Sequence, residues 1–412
     1  MKDKETLWVI TELYYPEVTS TGYYLTGIAE GLARNFRVKV ICGPPNYQAR
    51  GEKVPARETH KGVEIRRVRA TTLNKNVILF KLINMVTLGA SIFFKALLDF
   101  RSGERVLVVT TPPSLPFVTA LASLIRGTSY VLLIHDNYPE ILVAAGKTRE
   151  NSFLVRFLGF CNRWLYKYAA KIIVVGRDME RLLEEKTRGL DIPLKVIQNW
   201  AELDQVEPAP REENGLLQSL GLEDRLVFLY AGNMGYPNDL ESIVECAARL
   251  REDERFHFLF LGTGVKRNWL EKVKMEKGLE NLTLLDPRPR SEQKIFLNAC
   301  DVALVSLVRK MRGVSMPSRT YNILAAGKPI LAITEKDSEL DRVVREEGVG
   351  WVVPADEPDK LFEIILEIFS ERNEFEEMGK RARRAALEKY SPEAALKKYR
   401  EALNASDNAG VC

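Results

Sequence analysis

Short runs of apolar, largely β-branched residues recur along the first half of the chain, at 7–11, 38–42, 64–68, 106–110, 130–135, 171–175 and 194–197. Longer stretches with apolar positions at helical spacing separate most of them. The pattern predicts buried parallel strands with helices on both faces of a sheet. A polar, proline-bearing stretch at 202–214 (ELDQVEPAPREEN) then reads as a linker. Beyond it the alternation restarts, with strand-like runs at 226–230, 256–261, 282–285, 302–307, 330–334 and 351–353. Two α/β domains joined by a hinge within 200–215 are expected, with a cleft between them to take a ligand. Near the end, Ser391 supplies an N-cap, Pro392 the first helical position and Glu393 an acid in the first turn. Leu396, Tyr399 and Leu403 then share one face. Such a helix must dock somewhere, and the first domain is the expected surface.

Composition narrows the class. The 412 residues are 46% hydrophobic and 28% charged, which excludes disordered and collagen-like chains. Lys plus Arg number 60 against 56 Asp plus Glu, and a net charge of +4 excludes a polybasic nucleic-acid reader. Cys42, Cys161, Cys246, Cys300 and Cys412 are odd in number, far apart and not in CxxC pairs. They predict neither a disulfide framework nor a zinc site, and a reducing cytoplasm is the expected setting. Three histidines are too few for a His-rich metal centre. The first residues run into a strand without the apolar core of a signal peptide.

Residues 77–100 (VILFKLINMVTLGASIFFKALLDF) need a separate account. Lys81 and Lys95 bracket thirteen uncharged residues, short of the ~20 that span a bilayer. Two readings stay open. The segment forms one or two helices partly buried in a domain core, or it lies in a membrane interface with Lys snorkelling beside Phe80, Ile83, Phe93 and Phe94.

Four loop regions carry candidate chemistry. After the first strand, Tyr14-Tyr-Pro-Glu-Val-Thr-Ser-Thr-Gly22 leads into a helix, and its small residues let backbone amides approach a ligand. It lacks the GxGxxG dinucleotide fingerprint, and an ordinary strand-to-helix turn is the alternative. His135-Asp136-Asn137-Tyr138-Pro139-Glu140 follows an apolar strand, where open α/β sheets bind ligands. Its imidazole and two carboxylates suit orienting or deprotonating a hydroxyl; the plainer reading is a helix cap with a solvated Glu140. At the head of the second domain, Gly232, Asn233, Gly235 and Asn238 lie between a strand and a helix, an arrangement suited to phosphate or sugar hydroxyls. Gly262-Thr-Gly264 makes a second close-approach turn, although turns use glycine widely. The fourth region runs Gly313-Val-Ser315-Met-Pro317-Ser318-Arg319-Thr-Tyr321-Asn322 and closes on Gly327-Lys328-Pro329. Pro317 and Ser318 should begin a short helix there. Its free amides and the Arg319 guanidinium make a diphosphate clamp, with Asn322 one turn on for a ribose hydroxyl. A purely structural helix is the alternative.

A short helix ending in AAGKP, an HD pair closing a strand, a GN turn opening the second domain and a returning C-terminal helix together resemble retaining glycosyltransferases of family 4. The resemblance covers nearly the whole chain and is strongest to bacterial enzymes of O-antigen, colanic acid and capsule assembly. Their DxWPE-like run is similar to Asp136-Asn-Tyr-Pro139-Glu140, and their PSK/PSR–Y–LAAGKP segment to residues 317–329. The resemblance implies a GT-B fold, two Rossmann-like domains facing across a cleft. Residues 1–205 would bind the acceptor and 206–390 the nucleotide sugar, with a helix and tail at 391–412 returning to the first domain. It implies His135, Asp136 and Glu140 as catalytic residues. The donor site would comprise Gly22, Gly232, Asn233, Gly235, Gly262, Gly264, Ser315, Pro317, Ser318, Arg319 and Asn322. No metal and no cofactor are implied, the nucleotide sugar being a substrate. The expected reaction is retaining, hexosyltransferase-type transfer from a UDP-sugar to a polyprenyl-diphosphate-linked or other envelope-glycan acceptor. It would take place at the inner face of the cytoplasmic membrane, with peripheral contact to anionic lipid and no nucleic acid.

The chain departs from the family pattern. Many members carry two glutamates eight residues apart, the second five before the glycine of the AAGKP-like run; Val314 and Asn322 stand there. The Arg and Lys of the turn opening the second domain are replaced by Asn233 and Asn238. Arg319 is then the remaining diphosphate cation. Two rivals keep their place. A sugar-nucleotide 2-epimerase shares the fold but does not need the apolar 77–100 stretch. A non-catalytic subunit tethering a glycosyltransferase to the membrane is favoured by the missing glutamates.

Overall fold

The computed structural model describes residues 4–46, 50–74 and 77–404; Cys412 and the tail after 404 lie outside the described residues. Among the described residues the chain forms two compact units. The first comprises Met1–Pro139, Asn151–Gln198 and Ala395–Cys412; the second comprises Glu140–Glu150 and Asn199–Ala394.

Eight strands build the first unit's sheet: β1 (Thr6–Thr11), β2 (Arg37–Cys42), β3 (Arg57–His60), β4 (Val63–Arg67), β5 (Arg105–Val109), β6 (Ser129–Ile134), β7 (Lys171–Val174) and β8 (Leu194–Val196). Their order is β3-β4-β2-β1-β5-β6-β7-β8. Leu7, Val9, Ile10, Leu107, Val108, Leu132 and Leu133 are buried, because helices cover both faces of the parallel strands and leave no side of them for water. The exception is β3, which pairs antiparallel with β4 at the sheet edge. Its sequence, Arg-Glu-Thr-His, has no apolar run, so the hydrophobic pattern misses it; a polar edge strand also resists pairing with other chains.

The helices of this stretch are α1 (Ser20–Leu32), α2 (Ile78–Asp99), α3 (Leu115–Arg126), α4 (Glu140–Ala144), α5 (Phe153–Lys167) and α6 (Arg177–Lys186). Residues 77–100 form a single helix, α2, rather than two. By length and composition alone α2 is long and apolar enough to cross a membrane, and only 22% of its most apolar window is buried. Leu88, Gly89, Ile92 and Ala96 make its buried stripe. Its buried Asn84 is tied to the preceding segment, accepting from Leu73 N at 2.9 Å and donating to Leu73 O at 2.9 Å. Phe94 and the first turns around Ile78 and Leu79 are exposed.

The last helix, Pro392–Asn404, belongs to the first unit from Ala395 onward. Tyr399 and Leu403 are buried. Leu396 lies so close to α1 that a methyl at Gly31 would sit 2.4 Å from it. Two cations cap its free carbonyls: Lys171 Nζ donates to Ala402 O at 2.5 Å, and Arg105 donates to Leu403 O.

The second unit's sheet holds β9 (Leu226–Ala231), β10 (Phe256–Leu261), β11 (Leu282–Leu285), β12 (Val302–Ser306), β13 (Ile330–Ile333) and β14 (Gly350–Val353) in the order β11-β10-β9-β12-β13-β14, all parallel. Phe228 stacks on Phe258 with centroids 5.5 Å apart, in a core closed by Leu304, Leu331 and Ile365. The boundary lies earlier than 205/206. Residues 199–205 pack with the second unit because Glu202 is drawn into a polar cluster there, and 140–150 join it as well.

Tyr399→Ala should cost about 3–5 kcal/mol, as deletion of a buried aromatic does. Urea denaturation of the full chain reads this as a lowered midpoint.

Candidate functional site

In the second unit the strand order reverses between β9 and β12, and open α/β sheets take ligands at such a switch point, beyond the strands' carboxyl ends. Gly232, Asn233 and Gly235 follow β9, and Gly262 and Gly264 follow β10. The two turns touch. A Cβ at Gly262 would lie 2.1 Å from Gly232 O, and one at Gly264 would lie 2.5 Å from Met234 O. Met234 N donates to Thr263 O at 2.8 Å and Lys266 N to Met234 O at 3.0 Å, which locks the pair. Glycine is therefore required for the approach itself.

Arg319 lies against this double turn. Its guanidinium carbon sits 4.4 Å from the Tyr230 ring centroid, and Nη1 would be 2.6 Å from a Cβ at Gly232. Nη2 donates to Asn238 Oδ1 at 2.9 Å and Nη1 to Ala231 O at 3.4 Å, while Nε has no hydrogen-bond partner. Asn238 is the hub of the turn. Its Nδ2 donates to Asn233 O at 3.0 Å, and its carbonyl accepts from Lys266 Nζ at 2.7 Å. Lys266 also pairs with Glu241 at 2.7 Å. The motif reading overlooked Lys266 and gave Tyr230 no part. The signal for Lys266 was its place two residues after the Gly-Thr-Gly turn.

The 317–329 segment departs from its expected form. The helix is Arg319–Ala325, so Pro317 and Ser318 precede it. Two of its first amides are already engaged: Thr320 N donates to Pro317 O at 3.1 Å and Tyr321 N to Ser318 O at 3.3 Å. Those two amides are not free for a ligand, and of the expected amide-and-guanidinium clamp the Arg319 side chain remains as the candidate cation. Ser315 is half-buried upstream of it.

Asn322 also differs from its expected part. It is buried, with Oδ1 accepting from Glu202 N at 2.9 Å and Nδ2 donating to Glu202 Oε1 at 2.7 Å and to Gln293 Oε1 at 2.6 Å. Its amide is spent inside the unit and offers nothing to a ribose. Glu202 Oε1 further accepts from Gln293 Nε2 at 3.0 Å and from Arg290. Because 202–214 reads as linker in sequence, this buried carboxylate gave no signal.

In the first unit, Gly22 follows β1 while His135 and Asp136 follow β6, two strands away in the sheet. Thr19 caps α1, its side chain accepting from Gly22 N at 3.4 Å. A Cβ at Gly22 would lie 2.6 Å from Glu17 O, which explains the glycine there. Near it, buried Asn46 donates to Glu12 Oε1 at 2.8 Å and its N–H to Glu17 Oε1 at 2.7 Å; Glu17 lies in the 14–22 run, and Glu12 lies outside it. His135 N donates to Thr110 Oγ1 at 3.2 Å, and the Thr110 hydroxyl to Asp136 O at 3.4 Å. Burial pulls the His135 imidazole down to about 4 and pushes the Asp136 carboxyl up to about 6. His135 Nε2 is shielded and has no hydrogen-bond partner. Glu140 opens α4 and clusters with the second unit. A cavity of about 580 Å³ opens elsewhere, at the amino ends of β12 and β13, lined by Cys300, Asp301, Lys328 and Pro329; no candidate residue borders it.

Comparison with known proteins agrees with this layout. The family model described as "Glycosyl transferase 4-like domain" matches residues 20–200, and "Glycosyl transferases group 1" matches 216–385. The chain is 32% identical to the probable glycosyltransferase WbjE of Pseudomonas aeruginosa, over 95% of this chain and 96% of that one. It is 27% identical to the putative colanic acid biosynthesis glycosyl transferase WcaI of Escherichia coli K12, over 80% and 83% of the two chains. Among solved structures, the sucrose-phosphate synthase of Thermosynechococcus elongatus superposes with a TM-score of 0.78 at 16% identity, covering 98% of this chain and 100% of that one. Anabaena HepE in complex with UDP and glucose gives 0.73 at 14% identity, covering 97% and 99%.

Three outcomes follow from the site's energetics. Asn322→Ala leaves Glu202 and Gln293 short of a partner and should cost about 2–3 kcal/mol, the penalty of unsatisfied buried polar groups. A lowered melting temperature checks it. For Asp136, the folded carboxyl protonates at about 6 against an ordinary 3.8. The unfolded chain therefore loses that proton first, and stability falls as pH rises through this window. Asp136→Asn should raise the melting temperature at neutral pH, with the gain vanishing below about pH 4. His135 acts oppositely, destabilising the fold as pH falls from 6.5 towards about 4.

Proposed function

We propose that this chain, which belongs to the group 1 glycosyl transferases and has the GT-B fold, moves a hexosyl group from a UDP-sugar to a polyprenyl-diphosphate-linked envelope glycan. It is a glycosyltransferase of family 4, retaining at the anomeric carbon, of polysaccharide biosynthesis, and it uses a nucleotide sugar. Arg319 carries the reading of the donor site. Its guanidinium is fixed by a ring face and amide oxygens, so it can face a leaving diphosphate without moving. Charge on the diphosphate grows as the glycosidic bond breaks, and a preorganised cation favours that state over the bound donor. UDP is our choice of nucleotide because HepE, a structural neighbour, is described with it. Gly232, Asn233, Gly235, Gly262 and Gly264 would line the phosphates, with Ser315, Pro317 and Ser318 framing Arg319.

Retention in this family is attributed to a front-side route in which the acceptor oxygen attacks the face the diphosphate leaves, so no enzymic nucleophile is required. His135, Asp136 and Glu140 would orient hydroxyls. A neutral imidazole with an unpartnered Nε2 can exchange a hydrogen bond with one. The acceptor would be met at the inner face of the cytoplasmic membrane, with the exposed side of α2 docked on lipid.

Incubating the purified full chain with UDP-sugars, with and without a polyprenyl-linked acceptor, tests the proposal. Acceptor-dependent product with retained configuration supports it. Interconversion of the donor alone would make the protein an epimerase, and no turnover in either mixture would make it a tethering subunit. Arg319→Ala should weaken UDP binding by about 1.5–3 kcal/mol, the worth of a hydrogen bond to a charged group; calorimetry showing unchanged affinity would remove Arg319 from the phosphates. Transfer should persist in EDTA, because Arg319 supplies the charge that a bridging magnesium would otherwise carry.

A further inference from the structure

Three helices on one face of the first unit's sheet leave large apolar side chains in solvent. Each connects strands progressing in the same direction across the sheet, β4 to β5, β5 to β6 and β6 to β7. Right-handed crossovers therefore put α2, α3 and α5 on the same side, and α3 packs against both of the others. Along α2, exposed Leu82, Val86, Phe94 and Leu98 recur at multiples of four, one ridge of the helix. On α3, Leu121, Leu124 and Ile125 are exposed. On α5 the exposed side chains are the largest: Phe153 is 83% exposed, Phe157 52% and Phe160 75%.

We propose that this face docks on an anionic phospholipid leaflet, with Phe153, Phe157 and Phe160 of α5 entering the lipid beside α2. The inference rests on the membrane contact of α2 in the functional proposal and adds a second element to it. The composition of α5 argues for lipid. Phe153, Phe157, Phe160 and Trp164 fall on one stripe at helical spacing, and Arg156, Arg163 and Lys167 form a row beside it. No acidic residue occurs in α5. The inward side of the helix is Asn162, Leu165 and Tyr166, so the aromatic stripe is not its packing face. Aromatic side chains flanked by cations are the pattern of interfacial helices on anionic leaflets, where apolar burial and attraction to headgroups act together. A second copy of the chain fits poorly. A two-fold contact through this face with antiparallel α5 helices would set the row of Arg156, Arg163 and Lys167 against its own equivalent.

Cosedimentation of the full chain with vesicles of phosphatidylcholine containing about 30% phosphatidylglycerol, and with phosphatidylcholine alone, tests this. Two variants are compared, F153S/F157S/F160S in α5 and L82S/V86S/F94S in α2, each with a melting curve and a UDP titration. The expected result is binding to the anionic vesicles that falls about tenfold or more in the α5 variant, with melting and UDP affinity unchanged. Changing Arg156, Arg163 and Lys167 to Gln should lower binding to anionic vesicles and leave the weak binding to neutral ones as it was. Normal vesicle binding by a folded α5 variant overturns the inference, and if the α2 variant alone loses binding, the functional proposal survives without it. Absence of binding by the unaltered chain overturns both docking elements while leaving the UDP result to judge the transferase reading. A dimer of the unaltered chain that the α5 changes convert to monomer, in sedimentation equilibrium, would assign the face to a protein contact instead. The substituted α5 side chains are exposed, so a lowered melting temperature there would also contradict the placement argued.

Discussion

The contact between the turns after β9 and β10 sets the geometry of everything at that edge of the second unit. With Gly262 against Gly232 O and Gly264 against Met234 O, no side chain separates the two backbones. Arg319 can then lie across Gly232 and on Tyr230. What holds the guanidinium matters as much as where it is. Arg267, one strand over, is paired with Glu271 at 2.6 Å. Arg319 is held by Asn238 Oδ1, the Ala231 carbonyl and a ring face, with no carboxylate contact among the described residues. Its orientation is fixed while its charge stays uncompensated. For binding an anion this is the useful combination, since an internal carboxylate would have to be displaced first.

The cluster around Glu202 accounts for the most conspicuous departure from the family pattern. Where many members carry a glutamate, this chain has Asn322, and Glu202 Oε1 lies 2.7 Å from its Nδ2. A second carboxylate at that distance in a buried site would repel the first and force one of them to stay protonated. Asparagine instead donates to the carboxylate and to Gln293, and accepts from the Glu202 backbone. The carboxylate of this buried cluster thus comes from Glu202, in a segment that reads as linker. That segment also moves the unit boundary, because the buried Glu202 binds 199–205 to the second unit.

Most strands were legible because parallel strands buried on both faces must be continuous apolar runs, as at Val106–Val109 or Phe256–Leu261. β3 was illegible for the converse reason: an edge strand of Arg, Glu, Thr and His carries no such run. Spacing located the glycine turns between strand and helix, since strand–turn–helix order determines which edge of a sheet they reach. It could not tell which way Asn322 points, because its partners, Glu202 and Gln293, are 120 and 29 residues distant. Nor could it read α5, where aromatics at helical spacing look like a packing face. Only its position as an outer-layer helix shows that Asn162, Leu165 and Tyr166 face the core and the phenylalanines do not.

The polar edges of the two units differ in sign, and that difference bears on what each can hold. At the carboxyl ends of β1 and β6 the side chains are Glu12, Glu17, Asn46, His135 and Asp136, and the depressed His135 contributes no positive charge at neutral pH. A sugar, whose hydroxyls both donate and accept, can satisfy carboxylate and imidazole alike. At the carboxyl ends of β9 and β10 the order is reversed, with Arg319 unpaired and Lys266 close by. Burial of His135 and Asp136 also costs stability, and His135 Nε2 has no hydrogen-bond partner among the described residues. In the proposed transfer the first unit would meet hydroxyls and the second a diphosphate, and the Arg319 guanidinium held without a carboxylate beside the double glycine turn is the feature that favours this division.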